Sequence, residues 1–439
     1  MFSFLKNAFL NRNRYRTHSE AVVISCFYNP QNNPYRLLAF QKWYHSIKHL
    51  NHRIIECLIG PDAKSQLPAS PYITQVRTDS LLWHKETLLN KIVVDLPEEF
   101  KYVFWVDADV LFTNKNWLVD GVAQFKAGAR ILQPFEYCVH LERNRLEPDF
   151  DMDEARQTAS MTNKELGGEK RLWRSFCANY VKDRYEGNFT AIHSTDYDVH
   201  GHVGFAWGAT KELLLQCPLF ERALIGGADH IIAHAAAGQL HSPCISKGFS
   251  DNLVEVERWV DRFSRFVRGQ IGFVTGDLYH IWHGDIKNRQ YLKRIKDFTG
   301  KTKEIVDRDA NGLYVGKDRY VRRYYRDREV TDIYYDDFGD FGYGFAEDMG
   351  YLISDVFNLF GPPAYAEEPD EIDPGIPDDQ PNDFVPFDQG GAGVPDNNPM
   401  PADNPELENA IFSESNYSDD ETPAPAADIA DVSVNENYS

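Results

Sequence analysis

YVFWVDADVLF, residues 102–112, is the stretch that decides the fold. Its first five residues, Tyr102 to Val106, are apolar or aromatic without a polar break, the pattern of a strand buried on both faces of a parallel sheet. Two carboxylates follow at once, Asp107 and Asp109. Upstream, HKETLLNKIVVDL (84–96) has helical spacing of its apolar residues, and two more apolar runs, AVVISC (21–26) and RIIECLIG (53–60), flank a helical pattern over 33–50. TQVR (74–77) is a short third strand of that first part. Downstream, RILQP (130–134) and VGFAWGA (203–209) read as strands, and KELLLQC (211–217) and DHIIAHAAAG (229–238) as helices. Strands alternating with helices predict a mainly parallel α/β sheet, which binds ligands at the carboxyl ends of its strands. Residues 140 to 200 are polar with few strand signals and are expected to form a long insertion or acceptor-side subdomain.

Composition divides the chain electrostatically. Of 67 acidic residues in 439, 28 lie beyond Arg328, where no basic residue occurs; the first 328 residues hold 39 acids against 46 bases, a net of +7. The overall net charge of -21 therefore says little about the working part, which can accept phosphates. All 8 Trp precede residue 300, enough apolar mass for one large or two ordinary domains and incompatible with a fibrous or wholly disordered chain. From residue 361 onward, 13 of the 23 prolines accompany Asp, Glu, Asn and Ser, a composition that cannot bury enough apolar surface to offset its ordering entropy, so 361–439 is expected to be a disordered acidic tail. The expected divisions are an N-terminal extension (1–20), the α/β domain (21–300), a Tyr/Arg-rich and short apolar segment (301–360), and the tail. Within the third, Met349 to Phe360 either packs back on the domain or offers an apolar docking point for a partner or a peripheral membrane contact. No run reaches the roughly 20 apolar residues of a membrane span, and the N-terminus lacks the long apolar core and cleavage site of a secretory signal. Six cysteines without any C-x-x-C read as reduced core thiols, and the expected compartment is cytoplasmic.

The chemistry concentrates on Asp107 and Asp109. Two carboxylates at the end of a buried strand are costly to leave unpaired. A divalent cation, Mn²⁺ or Mg²⁺, relieves that cost and keeps coordination positions for phosphate oxygens. A solvated turn after the strand is the plainer reading of the triplet alone. Late in the chain, HIWHGDIKNRQYLKR (280–294) combines His280 and His283 with the cations Lys287 and Arg289, which suit a diphosphate leaving group.

With its Trp83-His84-Lys85-Glu86, Leu89-Asn90, Asp107-Ala108-Asp109 and His280-Ile281-Trp282-His283-Gly284, the chain resembles the metal-dependent GT-A glycosyltransferases of bacteria and viruses over residues 21–295. The resemblance implies a three-layer α/β/α Rossmann-like domain that moves a sugar from a UDP- or GDP-sugar to a glycan, protein or small-molecule acceptor, without nucleic acid as a partner. It also implies a nucleotide lying across the ends of the first strands, near Ser25, Phe27 and Tyr28. Asp109 is then the better metal ligand and Asp107 a metal or ribose contact. His283 is the expected third ligand, with His280 competing; the two, three residues apart, would share a face if helical. Lys85 is expected at the donor phosphate or sugar, or as a solvated helix residue; Asn90 at the donor site, or as an interior polar group. Trp207, in Gly201 to Gly208, is expected beside the sugar, unless that segment is a buried strand with a bulge. Asp229 is either the carboxylate that binds or deprotonates the acceptor hydroxyl or a helix N-cap. Two other classes fit part of this pattern: a nucleotidyltransferase, although Ser25 to Asn29 is no glycine-rich basic loop, and a noncatalytic carbohydrate-binding protein.

Overall fold

The computed structural model describes residues 14–30, 32–80, 82–186, 197–224, 226–239, 253–284 and 307–316. Eleven strands build its two main sheets: β1 (Ala21–Tyr28), β2 (His52–Ile59), β3 (Ile73–Thr78), β4 (Tyr102–Val106), β5 (Val110–Phe112), β6 (Ile131–Gln133), β7 (Tyr137–His140), β8 (Leu172–Arg174), β9 (Ala206–Thr210), β10 (Ile271–Phe273) and β11 (Asp277–His280). The larger sheet has the order β10-β6-β9-β4-β1-β2-β3. Its strands β4, β1, β2 and β3 run parallel, as do β6 and β10, and β9 runs against both β4 and β6.

Alternation along the central strands makes the layers. Val22, Ile24, Val103 and Trp105 enter one core, with helices Lys85–Asp95, Ala228–Ala236 and Leu253–Val267; Ala21, Val23, Phe104 and Val106 enter the other, with helix Pro34–Ile47 and helix Trp117–Lys126. Residues one apart on a strand face opposite sides, so a run apolar on both parities must be covered twice. The expected three-layer α/β architecture is present.

Helix Pro34–Ile47 starts where the sequence supplies its stop and start signals together: the Asn33 side chain accepts from the backbone N–H groups of Tyr35 and Arg36, and Pro34 takes the first position. Helix Leu253–Val267 went unread in the sequence although Val256, Val260, Phe263 and Val267 form one buried stripe.

The smaller sheet, β5-β11-β7-β8, was also not expected. Its strands are three or four residues long, too short to show a period; β7 enters the segment expected to be an insertion or acceptor-side subdomain, and β8 lies within it with helices Met152–Gln157 and Phe176–Glu186. Residues 307–316 form a hairpin, β12 (Asp307–Arg308) with β13 (Tyr314–Val315), whose Leu313 is fully buried in the first core; Asn311 donates to the Arg77 carbonyl at 2.6 Å and Arg308 pairs with Glu221 at 2.5 Å. Among the described residues no helix is long and apolar enough to cross a membrane. The expected acidic tail lies outside the described residues.

Candidate active site

The turn from β4 into β5 carries Asp107, Ala108 and Asp109, and two backbone bonds hold it: Asp107 N–H donates to the Phe205 carbonyl at 2.7 Å and Ile281 N–H to the Asp109 carbonyl at 2.8 Å. Because β11 pairs antiparallel with β5, His280 stands opposite Val110. His280 is thus the last residue of a strand and His283 follows in the loop, so the shared helical face expected for them does not exist. Both nevertheless reach one carboxylate. Asp109 Oδ2 is 3.0 Å from His283 Nε2 and 3.8 Å from His280 Nε2, and ligand atoms from all three residues lie within 4.8 Å of one another.

Asp107, expected as a metal or ribose contact, stands apart from that group. Its Oδ1 is 2.7 Å from Lys85 Nζ, and the same ammonium is 3.5 Å from Asp229 Oδ2. Lys85 is 8% exposed, not a solvated helix residue. Burial works against its charge, but Asp107, Asp229 and Glu86 together outweigh that and hold its pKa well above the ordinary lysine value. For Asp107 burial dominates over the pull of Lys85, and with Asp229 and Asp109 adding repulsion its pKa is pushed up to about 6. Glu86, buried behind Lys85 with Oε2 lacking a hydrogen-bond partner, is pushed up to about 8, chiefly by burial. Although Glu86 lies inside the quoted Trp83 to Glu86 motif, sequence reasoning gave it no role.

Asp229 is not the N-cap. Gly227, with φ +90°, precedes helix Ala228–Ala236 in that position, and Asp229 sits inside the first turn with Oδ1 buried and lacking a hydrogen-bond partner. Of the other expected donor-site residues, several are structural. Ser25 Oγ donates to the Val106 carbonyl at 2.6 Å, tying β1 to β4. Phe27 is buried against Phe40 with ring centroids 4.8 Å apart. Asn90 donates to the Leu219 carbonyl and Glu221 and accepts from Leu219 N–H, each at 2.9 Å, so it is the interior polar group of the alternative reading. Trp207 is buried in the strand core, its indole N–H on the Val203 carbonyl at 2.7 Å. Alternation is the reason for Ser25, Phe27 and Trp207: inside a doubly covered sheet, neither parity of a strand faces a cleft. Tyr28 does reach the carboxyl end of β1, its ring 5.8 Å from that of Trp83. Lys287 and Arg289 lie outside the described residues.

Beyond the ends of β2 and β3 lies a cavity of about 560 Å³ lined by Thr78, Asp79 and Leu82 and closed by Arg308, Asp309 and Asn311 of the hairpin. One carboxylate and two imidazoles around one point fit a divalent transition ion, with coordination positions left for ligand oxygens.

No known protein family matches the chain, and no curated protein does. Among solved structures, the chain is similar to residues 1–349 of Staphylococcus aureus TarS at 10% identity and TM-score 0.29, covering 78% of this chain and 80% of that one. It is likewise similar to glucosyl-3-phosphoglycerate synthase from Mycobacterium tuberculosis, solved with Mn²⁺, UDP-glucose and phosphoglyceric acid, at 10% identity and TM-score 0.32, covering 68% and 86%. A further mycobacterial protein aligns at 12% identity and TM-score 0.32, covering 68% and 83%. The functional reading rests on the site's own geometry.

Proposed function

We propose that the protein is a metal-dependent glycosyltransferase that moves a sugar from a nucleoside-diphosphate sugar to an acceptor hydroxyl. The observation that carries the reading is the meeting, at the carboxyl end of β4, of Asp109, His280 and His283 with the ion-paired Lys85, Asp107 and Asp229 beside them. Asp109, His280 and His283 would hold the ion, which supplies positive charge against the charge that grows on a departing diphosphate. Two imidazoles in the set favour Mn²⁺ over Mg²⁺, whose preference is for oxygen ligands alone. Lys85 fixes Asp107, which is then free to accept from ribose hydroxyls through its second oxygen. The nucleoside half would occupy the cavity past β2 and β3, which Asp79 and Asn311 line. Asp229, 3.5 Å from the Lys85 ammonium, is the carboxylate that would take the acceptor's proton in an inverting transfer.

The test is release of UDP or GDP from a panel of sugar nucleotides with Mn²⁺, Mg²⁺ or chelator, with the glycosylated product detected. Release with Mn²⁺ at lower metal concentration than with Mg²⁺, and none with chelator, is expected. Pyrophosphate release from a nucleoside triphosphate instead would identify a nucleotidyltransferase. Sugar binding without turnover would identify a carbohydrate-binding protein.

A further inference from the structure

Phe205 combines two uncommon features. Its φ is +79°, and the described residues include only three other non-glycine positions with positive φ, Asn32, Asn144 and Arg268. Asparagine tolerates that region through local hydrogen bonds; a buried phenylalanine has no such compensation, so its backbone is strained. The conformation interrupts the strand expected from Val203, and β9 begins one residue later, at Ala206. It also lets one residue do two things at once. The Phe205 carbonyl accepts from Asp107 N–H at 2.7 Å, while its ring lies between two imidazoles, stacked on His202 at 4.2 Å and 7° and on His280 at 5.0 Å and 25°.

The edge of His280 is held as well. Parallel pairing of β7 with β11 puts His140 opposite His280, and their Nδ1 atoms are 3.3 Å apart. A metal-bound nitrogen must be unprotonated, and Nε2 is the His280 atom that faces Asp109. The His280 proton then sits on Nδ1 and is donated to His140 Nδ1, which leaves the His140 proton on Nε2. Metal-bound histidines commonly donate their second ring N–H to a fixed acceptor; here that acceptor is another histidine.

We propose that Phe205 and His140 are positioning residues that clamp the face and the edge of the His280 imidazole so that Nε2 points at the metal ion beside Asp109. The inference rests on the metal site proposed above. It is tested by titrating Mn²⁺ into the full-length chain and its variants, following the free-ion electron paramagnetic resonance signal, with thermal melting of each metal-free variant alongside. Phe205→Ala and His140→Leu are each expected to weaken Mn²⁺ binding about tenfold or more. His140→Asn, whose side-chain oxygen can stand near the lost Nδ1, is expected to recover most of the affinity. Phe205→Gly removes the ring but tolerates the backbone; it should melt above Phe205→Ala yet bind Mn²⁺ as weakly. Phe205→Leu keeps core volume without the flat ring and should show the same weak binding if the alanine variant does not fold. Folded Phe205→Leu and His140→Leu variants that bind Mn²⁺ like the parent would overturn the proposal while leaving the metal site standing. A parent chain that binds no Mn²⁺ overturns both.

Discussion

At Lys85 a flexible cation becomes a fixed part of the site because two carboxylates converge on it in a buried place. Asp109, by contrast, gives its carboxylate to the cluster with His280 and His283 and belongs to neither apolar core. Asp109→Ala is therefore expected to abolish Mn²⁺-dependent turnover with the melting temperature nearly unchanged; full activity at saturating Mn²⁺ would remove Asp109 from the ligand set. Asp229→Asn keeps the shape and removes the proton acceptor, and should reduce transfer at least about 100-fold while donor binding stays within about twofold. Equal losses in both, measured by steady-state kinetics and donor titration, would count against the proton-accepting role. Glu86 gives a pH prediction. Its folded pKa, about 8, is raised above the ordinary carboxylate value of 4.5, so its contribution to stability is complete below the unfolded value and is lost as pH rises towards 8. Glu86→Gln should raise the melting temperature at pH 8 and change it little at pH 4.5. A variant whose shift is the same at both pH values would show that Glu86 titrates in the folded chain as it does in the unfolded one.

Among the elements, helix Lys85–Asp95 joins site to scaffold. Lys85 at its start serves the acidic cluster, and Asn90, five residues on, grips the segment after helix Lys211–Gln216. Asn90→Leu would leave the Leu219 N–H and carbonyl buried without a partner, a loss of about 2 kcal/mol by the usual cost of such groups. It should leave the donor KM unchanged, and a raised KM in a variant of unaltered stability would return Asn90 to the donor site. The turn into the Gly201 to Gly208 segment depends on Gly201, whose φ is +88° and where an added Cβ would sit 2.9 Å from both the Arg174 carbonyl oxygen and the Phe176 nitrogen. Backbone cannot yield as a side chain can. Gly201→Ala is expected to destabilise by about 2 kcal/mol or more in urea unfolding.

Over the whole molecule, the net +7 of residues 1–328 faces 28 unbalanced acids in the rest of the same chain. Exposed pairing of that kind is weak and screened beyond roughly 8 Å at physiological salt. Removing residues 361–439 should therefore leave kcat and donor KM unchanged at that salt. A donor KM that falls on truncation at low salt and converges with the full chain as salt rises would show instead that the acidic segment competes with the nucleotide. Truncation before residue 307 is a different matter, because it deletes Leu313 from the core and opens the cavity past β3.

The sequence by itself determined the layered α/β fold, because the strands that build it are continuous and apolar on both parities, a signal carried within a few adjacent residues. It also determined where the acids stand, since Asp107 and Asp109 follow directly on the clearest of those strands. Only the tertiary structure decided how the site residues divide between two tasks, with Asp109 joined to both His280 and His283 while Asp107 turns to Lys85. That division depends on β5 pairing with β11, two strands of three and four residues separated by more than 160 positions in the chain. Separation along the chain also hid His140 and the strained Phe205, which stand 140 and 75 residues before the His280 they touch. Segments so short carry no period to read, and which side chains meet is fixed by the register between strands, which appears only when the chain has closed on itself.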